Sequence, residues 1–510
     1  MAARRSRTSL AELPPRARPI SKPEAQVSAA LLGRLDALLL MLPSAGTRDV
    51  IKRLPFAEVI ARVHGRSTRQ AGDTYTLNLP NEQATLLVVG LVRDGAATFT
   101  RLTLAGKMLK HLQRGEHPRI GLSAQGLGAA DSAGGVEALL AAAQAWDFSL
   151  PAYKSGKAPA PKTATLVPIC KHPLDCSRIA ATSDATNLVR WLTTMPPDRL
   201  DPAGYRSIIQ ALCEREGLEY EFMDEAALRR AGAGAFLAVT QGSANRDAGI
   251  ARIRYRGRKS RAAPVALVGK GLCFDTGGTN LKSHKGMVDM HIDMAGSALA
   301  LATLMALARL KHTRPVEAWL ALAENRIGSK AYKPQDVVTA VNGTTIQVIH
   351  TDAEGRMVLA DTLALASQSR PAAIVDFATL TGACVVALGT RYSGAFTNRP
   401  SWRVAIEKAG QDSGERVWVL PMDEDYDEEL HSKVADVVQC LADGQADHIY
   451  ATRFLSRFVG AGIPWTHVDL SAATRHGGLA HVGSDITGFG ARFMLSLLLD
   501  QQPPLGPEQP

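Results

Sequence analysis

From residue 265 onward, short runs of aliphatic and β-branched residues alternate with longer apolar or amphipathic stretches, and this alternation leaves few folds open to the chain. Val265–Val268, Val316–Ala323, Ile346–Ile349, Ala373–Phe377 and Thr466–Leu470 read as strands; Ser297–Leu310, Met357–Ser367 and Ala451–Val459 read as helices. Strands separated by helical crossovers pair in parallel, with helices covering the faces of the sheet. Upstream, Thr74–Leu79, Thr85–Val92 and Leu166–Ile169 read as strands and Gly135–Trp146 as a helix, which makes a smaller α/β unit. A helix at Ala185–Leu192 stops before Met195-Pro196-Pro197-Asp198, and the domain boundary is expected near Asp184. The expectation is an α/β protein of two domains. A smaller one spans 29–184, and a larger one with a mixed, mainly parallel central sheet spans 185–500. A basic tail (1–28) and a polar tail (501–510) flank them, and Pro151–Pro161 reads as a linker or long hairpin.

Composition removes some functions. The apolar run Ala295–Leu310 contains Arg309 and is shorter than the ~20 residues a membrane span needs, so no membrane segment is expected. The net charge of +9 resides partly in the first residues, where Arg4, Arg5, Arg7, Arg16 and Arg18 face only Glu12. That segment reads as a plain disordered tail, with a mitochondrial presequence as the alternative to a cytoplasmic location. Arg252, Arg254 and Arg256 alternate with apolar neighbours, as on the wet face of a strand; a nucleic-acid-binding surface is the alternative. The six cysteines lack C-x-x-C spacing and read as reduced thiols.

The chemistry concentrates in two places. Lys270, Asp275, Lys282 and Asp293 fall within 24 residues, and Thr351-Asp352-Ala353-Glu354-Gly355-Arg356 follows downstream. Taken singly, each has an ordinary reading: Lys270 as a salt-bridge partner of Asp275, Asp293 as a helix N-cap, Asp352 and Glu354 as a solvated turn. Asp352 and Glu354 are two apart, so in extended chain they face one way, and Gly355 then breaks the chain before a helix. Taken together, the groups follow the ends of three strands, where parallel sheets place their ligands. Four carboxylates cannot converge without cations to neutralise them, and the simplest such site holds two divalent metals. Lys270 ligates only as the neutral amine, which requires its pKa to fall. Oxygen ligands with one amine suit Zn or Mn, and also Mg or Co. H-E-x-x-H, Walker and G-x-S-x-G motifs are absent.

Val268-Gly269-Lys270-Gly271 through Gly278, Asp293-Met294, Thr351 to Arg356 and Ala378-Thr379-Leu380-Thr381-Gly382-Ala383 closely resemble the leucine aminopeptidase (cytosol aminopeptidase) family, from about Asn187 to Leu499. The resemblance implies that Lys270, Asp275, Asp293 and Glu354 ligate a more exchangeable metal and Asp275, Asp352 and Glu354 a tighter one. It makes Lys282 the catalytic lysine and Arg356 the arginine that holds a bicarbonate as general base. It places Met290, Thr379 and Gly382 around the first side chain of a peptide substrate, with the Leu380 carbonyl orienting the attacking water. It further implies preference for leucine-like amino-terminal residues, a macro-like amino-terminal domain and a homohexamer with sites facing an interior cavity. The chain departs from the family pattern at His350 (usually Asn), Met357 (usually Leu) and Ser283 (usually Pro), and Ser471–His481 aligns poorly.

Overall fold

The computed structural model describes residues 13–16, 19–113, 116–155, 164–258 and 261–503. Residues 1–12, 17 and 18 of the expected basic tail, the last seven of the polar tail and 156–161 of the expected linker lie outside them. Residues 151–155 carry no helix or strand.

The amino-terminal sheet forms around β1 (Ala37–Pro43), whose sequence Ala-Leu-Leu-Leu-Met-Leu-Pro is buried at every position. Leu39 and Met41 enter one core and Leu38, Leu40 and Leu42 the other. A strand apolar on both faces belongs in the middle of a sheet, and β1 lies there. It pairs in parallel with β3 (Leu86–Val92) and β4 (Arg119–Ala124); β2 (Thr74–Asn78) joins β3 antiparallel and β5 (Thr165–Ile169) joins β4, giving the order β2-β3-β1-β4-β5. Ile20 and Glu24 bridge to β5, so order begins earlier than the expected end of the tail at residue 28.

The second sheet comprises β6 (Glu219–Asp224), β7 (Gly249–Tyr255), β8 (Val265–Asp275), β9 (Val316–Asn325), β12 (Ala373–Ala378), β13 (Ser393–Thr397), β14 (Val417–Val419) and β16 (Trp465–Asp469), ordered β14-β13-β16-β12-β8-β9-β7-β6. The four central strands, β16, β12, β8 and β9, run parallel, while β13 and β7 join them antiparallel. The sheet is therefore mixed with a parallel centre. A third, small sheet contains β10 (Val337–Thr339), β11 (Thr345–Gln347) and β15 (Val437–Val438). The expected strand Ile346–Ile349 falls here and not in the main sheet. Its apolar residues pack under the helix that follows, a distinction periodicity cannot make.

Two helices sandwich the centre. Ala295–Arg309, almost all Ala, Leu and small residues, packs on one face with β8 and β9. Its approach is close because Gly269 presents bare backbone: a Cβ there would lie 2.4 Å from the Ser297 Cα. The longer helical stretch His284–Arg309 meets the length and hydropathy of a membrane span, yet 83% of its apolar window is buried within the protein, as suits a core helix. Glu354–Gln368 covers the opposite face. The helix Cys176–Thr194 continues through Asp184, where the sequence places the domain boundary, and packs against Ala295–Arg309 as well as Ala129–Asp147.

The basic run on β7 faces acids of its neighbours. Arg252 bonds Glu317 at 2.8 Å and lies over the Trp319 ring, Arg254 pairs with Glu219 and Glu221, and Arg256 pairs with Glu219. These arginines hold the sheet edge together, and the nucleic-acid alternative gains no support from them.

Candidate metal centre

β8 runs seven residues beyond the strand expected from its apolar start, because β9 pairs with it through the glycines as far as Asp275. Lys270 therefore lies inside the strand rather than after it. Side chains alternate along a strand, so positions 270 and 275 ordinarily face opposite ways. A register shift between Leu272 and Phe274 inserts one residue into the ladder and rephases the alternation. Asp275 returns by this means to the side of Lys270.

Three other segments complete the cluster. Asp293 follows the 3-10 turn Met290–Ile292 and precedes the helix Ala295–Arg309 without capping it; Met294 occupies the cap position. Its Oδ1 instead accepts from the Thr379 hydroxyl at 2.7 Å, and its Oδ2 lies 2.9 Å from Lys270 Nζ. The N-cap reading of Asp293 is overturned. Glu354 is the first residue of its helix, where the positive end of the helix dipole favours a carboxylate, and its Oε1 lies 3.1 Å from Lys270 Nζ. The Thr351 carbonyl accepts from both Asn325 Nδ2 and Tyr332 Oη, and its hydroxyl donates to the Gly277 carbonyl, so the segment bearing Asp352 is tied to the loop after β8. Lys282 reaches in from that loop, 2.7 Å from Asp275 and 2.5 Å from Asp352.

Gly355 is helical, not the chain break expected of it. The need for glycine is space: a Cβ there would lie 2.6 Å from Lys270 Cε and 2.7 Å from Nζ. Gly355→Ala is expected to cost about 1–3 kcal/mol of stability through overpacking and to weaken ion binding by displacing the Lys270 amine. Thermal melting and metal content measured together check this; an unchanged melting temperature and full metal content would show that Lys270 moves aside freely.

Lysines and acids compensate one another here. Burial works against the Lys270 ammonium, but Asp293, Glu354 and Asp275 outweigh it and hold its pKa above the usual value, opposite to the fall that ligation requires. Burial, reinforced by repulsion from Asp275, raises Glu354 to about 8; burial raises Asp293 to about 6, with Lys270 opposing. A divalent ion meets these carboxylates with twice the charge of an ammonium, and a lysine nitrogen becomes a ligand once its proton is displaced.

The donor set fits such an ion. Oxygens of Asp275, Asp293 and Glu354 lie within 4.8 Å of one another, and all three residues are buried. Asp293 Oδ2 and Asp352 Oδ1 are sealed from solvent and close to lysine nitrogens, yet neither receives an aligned hydrogen bond. Their lone pairs are available to a cation.

All eleven residues singled out in the sequence line one cavity of about 290 Å³: Lys270, Asp275, Lys282, Met290, Asp293, Asp352, Glu354, Arg356, Thr379, Leu380 and Gly382. Ile292, Val385, Leu470 and Ala473 add an apolar wall, and the Thr379 carbonyl accepts from Lys270 Nζ. Sequence reasoning missed three supports. Asn325, the last residue of β9, donates to Asp275 Oδ1 at 2.9 Å, and a strand-end rule applied to β9 would have found it. Asp469, at the end of β16, accepts from Leu380 N–H and the Thr381 hydroxyl, which fixes the loop after β12. Asp447 pairs with Arg356 and carries no sequence signal, standing 91 residues away in a polar stretch.

Residues 187–495 match the catalytic-domain model of the cytosol aminopeptidase family. A protein of Azotobacter vinelandii named probable cytosol aminopeptidase is 38% identical over 375 residues, covering 72% of this chain and 74% of its own. One of the same name from Streptomyces coelicolor is 34% identical over 454 residues, covering 87% and 85%. Among solved structures, the bottromycin maturation enzyme BotP in complex with Mn superposes with a TM-score of 0.80 at 30% identity, covering 92% of this chain and 100% of that one. The cytosol aminopeptidase of Coxiella burnetii superposes with a TM-score of 0.77 at 27% identity, covering 92% and 97%.

Proposed function

Because the chain belongs to the cytosol aminopeptidase family, and so is a metal-dependent exopeptidase, we propose that it removes leucine-like amino-terminal residues from peptides with two divalent ions held by the cluster at Lys270. The observation that carries this reading is the convergence of four carboxylates and two lysines from separate segments on one cavity with an apolar wall. Lys270, Asp275, Asp293 and Glu354 would hold one ion and Asp275, Asp352 and Glu354 the other, with Zn or Mn the best-suited metals. When bound, such a pair would supply a water acidified from ~15.7 towards 7 and a seat for the substrate's free amine.

The rest falls to the chain's own side chains. Lys282, on a loop at the cavity wall, aims a flexible ammonium where negative charge develops on the scissile carbonyl oxygen. Met290, Thr379 and Gly382 would receive the first side chain, and the Leu380 carbonyl would orient the water by accepting a hydrogen bond from it. Asp469 keeps that loop in register through its contacts with Leu380 and Thr381. Arg356 lines the same cavity, with Nη1 and Nη2 already on protein acceptors. Among the described residues its buried Nε–H has no acceptor, and that single N–H is all the guanidinium leaves for the bicarbonate that the family resemblance implies.

Release of a chromophore from a leucyl substrate after addition of Mn or Zn, stopped by a chelator, is the expected result. An acetylated substrate should remain uncut. No turnover with any divalent metal, or equal turnover of the blocked substrate, overturns the reading. Relatives named for the cytosol support that location. Assembly as a homohexamer is checked by light scattering, which should return six times the monomer mass.

A further inference from the structure

Arg356 is 2% exposed, and its charge already has a partner. Its Nη2 lies 2.8 and 2.7 Å from the two carboxylate oxygens of Asp447, and Nη1 donates to the Gln439 carbonyl at 3.2 Å. Asp447 stands at the first position of the helix Asp447–Ser456, where the helix dipole stabilises a carboxylate. His448 beside it does not cancel that charge: burial lowers its pKa and keeps the imidazole neutral near pH 7. Of the guanidinium nitrogens, Nε alone has no acceptor among the described residues.

An anion arriving at Nε therefore meets a cation already neutralised at close range, with the negative charge of Asp447 on the same planar group. In a buried site such like-charge repulsion is weakly screened. We propose that Asp447 is a built-in counter-anion for Arg356, which makes this arginine a poor receptor for external bicarbonate and lets hydrolysis proceed without it. Asp447 is a positioning residue: it fixes the plane of the guanidinium and supplies the negative charge that a bound anion would otherwise bring. The inference rests on the peptidase reading, but its decisive readout is anion binding, not turnover.

The experiment uses the full chain loaded with Mn for calorimetry and with Zn for NMR. Binding of carbon-13 bicarbonate is followed by both methods for the native protein, Asp447→Asn and Asp447→Glu, and kcat/KM is measured in carbon-dioxide-free buffer with and without bicarbonate. The native chain is expected to show no saturable binding up to about 20 mM, and rates that change less than about twofold. Asp447→Asn frees the arginine and should bind bicarbonate at least about tenfold more tightly; its rate should fall in anion-free buffer and recover on adding bicarbonate. Asp447→Glu should restore indifference to bicarbonate. Saturable binding or several-fold stimulation of the native chain overturns the proposal, and so does an Asp447→Asn variant that binds no more tightly than native. If Asp447→Asn fails to fold, the native and Asp447→Glu measurements still decide it. Loss of leucyl hydrolysis by the metal-loaded native chain would instead count against the peptidase reading.

Discussion

Glu354→Ala is expected to fold, to bind fewer ions than the native chain, and to cleave a leucyl substrate at least about a thousandfold more slowly. Its carboxylate is 1% exposed and 3.1 Å from Lys270 Nζ, and Asn325 approaches its second oxygen at 3.5 Å. If it bridges the two ions, its loss weakens both. Asp352→Ala should follow the same course less severely, since its side chain is 28% exposed and solvent can fill the gap. Elemental analysis of the purified variants beside kcat/KM at saturating Mn is the measurement. A double variant depleted of metal but fully active would end the two-metal reading.

Lys282→Ala should separate catalysis from metal binding. Its side chain is 16% exposed, enters from a loop rather than from β8, and pairs with Asp275 and Asp352. Removing an ammonium from among four acids makes the cluster more negative, so divalent ions should bind at least as well. Turnover should nevertheless fall about 100- to 1,000-fold, the usual loss for a group that stabilises the developing oxyanion, with KM changed far less than kcat. Full metal content with native kcat would remove Lys282 from the chemistry; loss of both ions would make it a structural counter-charge instead.

These two variants probe residues that were legible before any coordinates, and the reason is chemical. Acids and lysines set in apolar and glycine-rich sequence have few satisfactory environments, so Lys270, Asp275, Asp293, Asp352 and Glu354 could be gathered as one group, while their separate roles came from the family resemblance. The central strands were legible for a related cause: β8 and β12 begin as unbroken aliphatic runs and β9 is apolar from Ala318 to Ala323, which only a covered sheet tolerates. β8 was read too short because Gly269 and Gly271 interrupt the apolar pattern, although glycine is what lets the helix Ala295–Arg309 lie against the strand. β1, apolar throughout, lacks the alternation that marks a strand and was not found. The small sheet around β11 was misassigned because its pairing is set by β15, some 90 residues on. Asp447 was invisible for the same reason: what makes it important is a partner, and a partner distant in sequence leaves no local trace.

The bare stretch of β8 at Gly269 and Gly271 has a bearing on how such a protein can change over generations. Any side chain at position 269 would push a whole helix outward and carry with it Asp293, which leads into that helix, so this inert-looking position should tolerate mutation as poorly as the acids themselves. In a saturation library its survivors should be as few as those at Asp275. Attempts to retune the metal preference would then do better among the polar groups behind the ligands than along the strand that carries them.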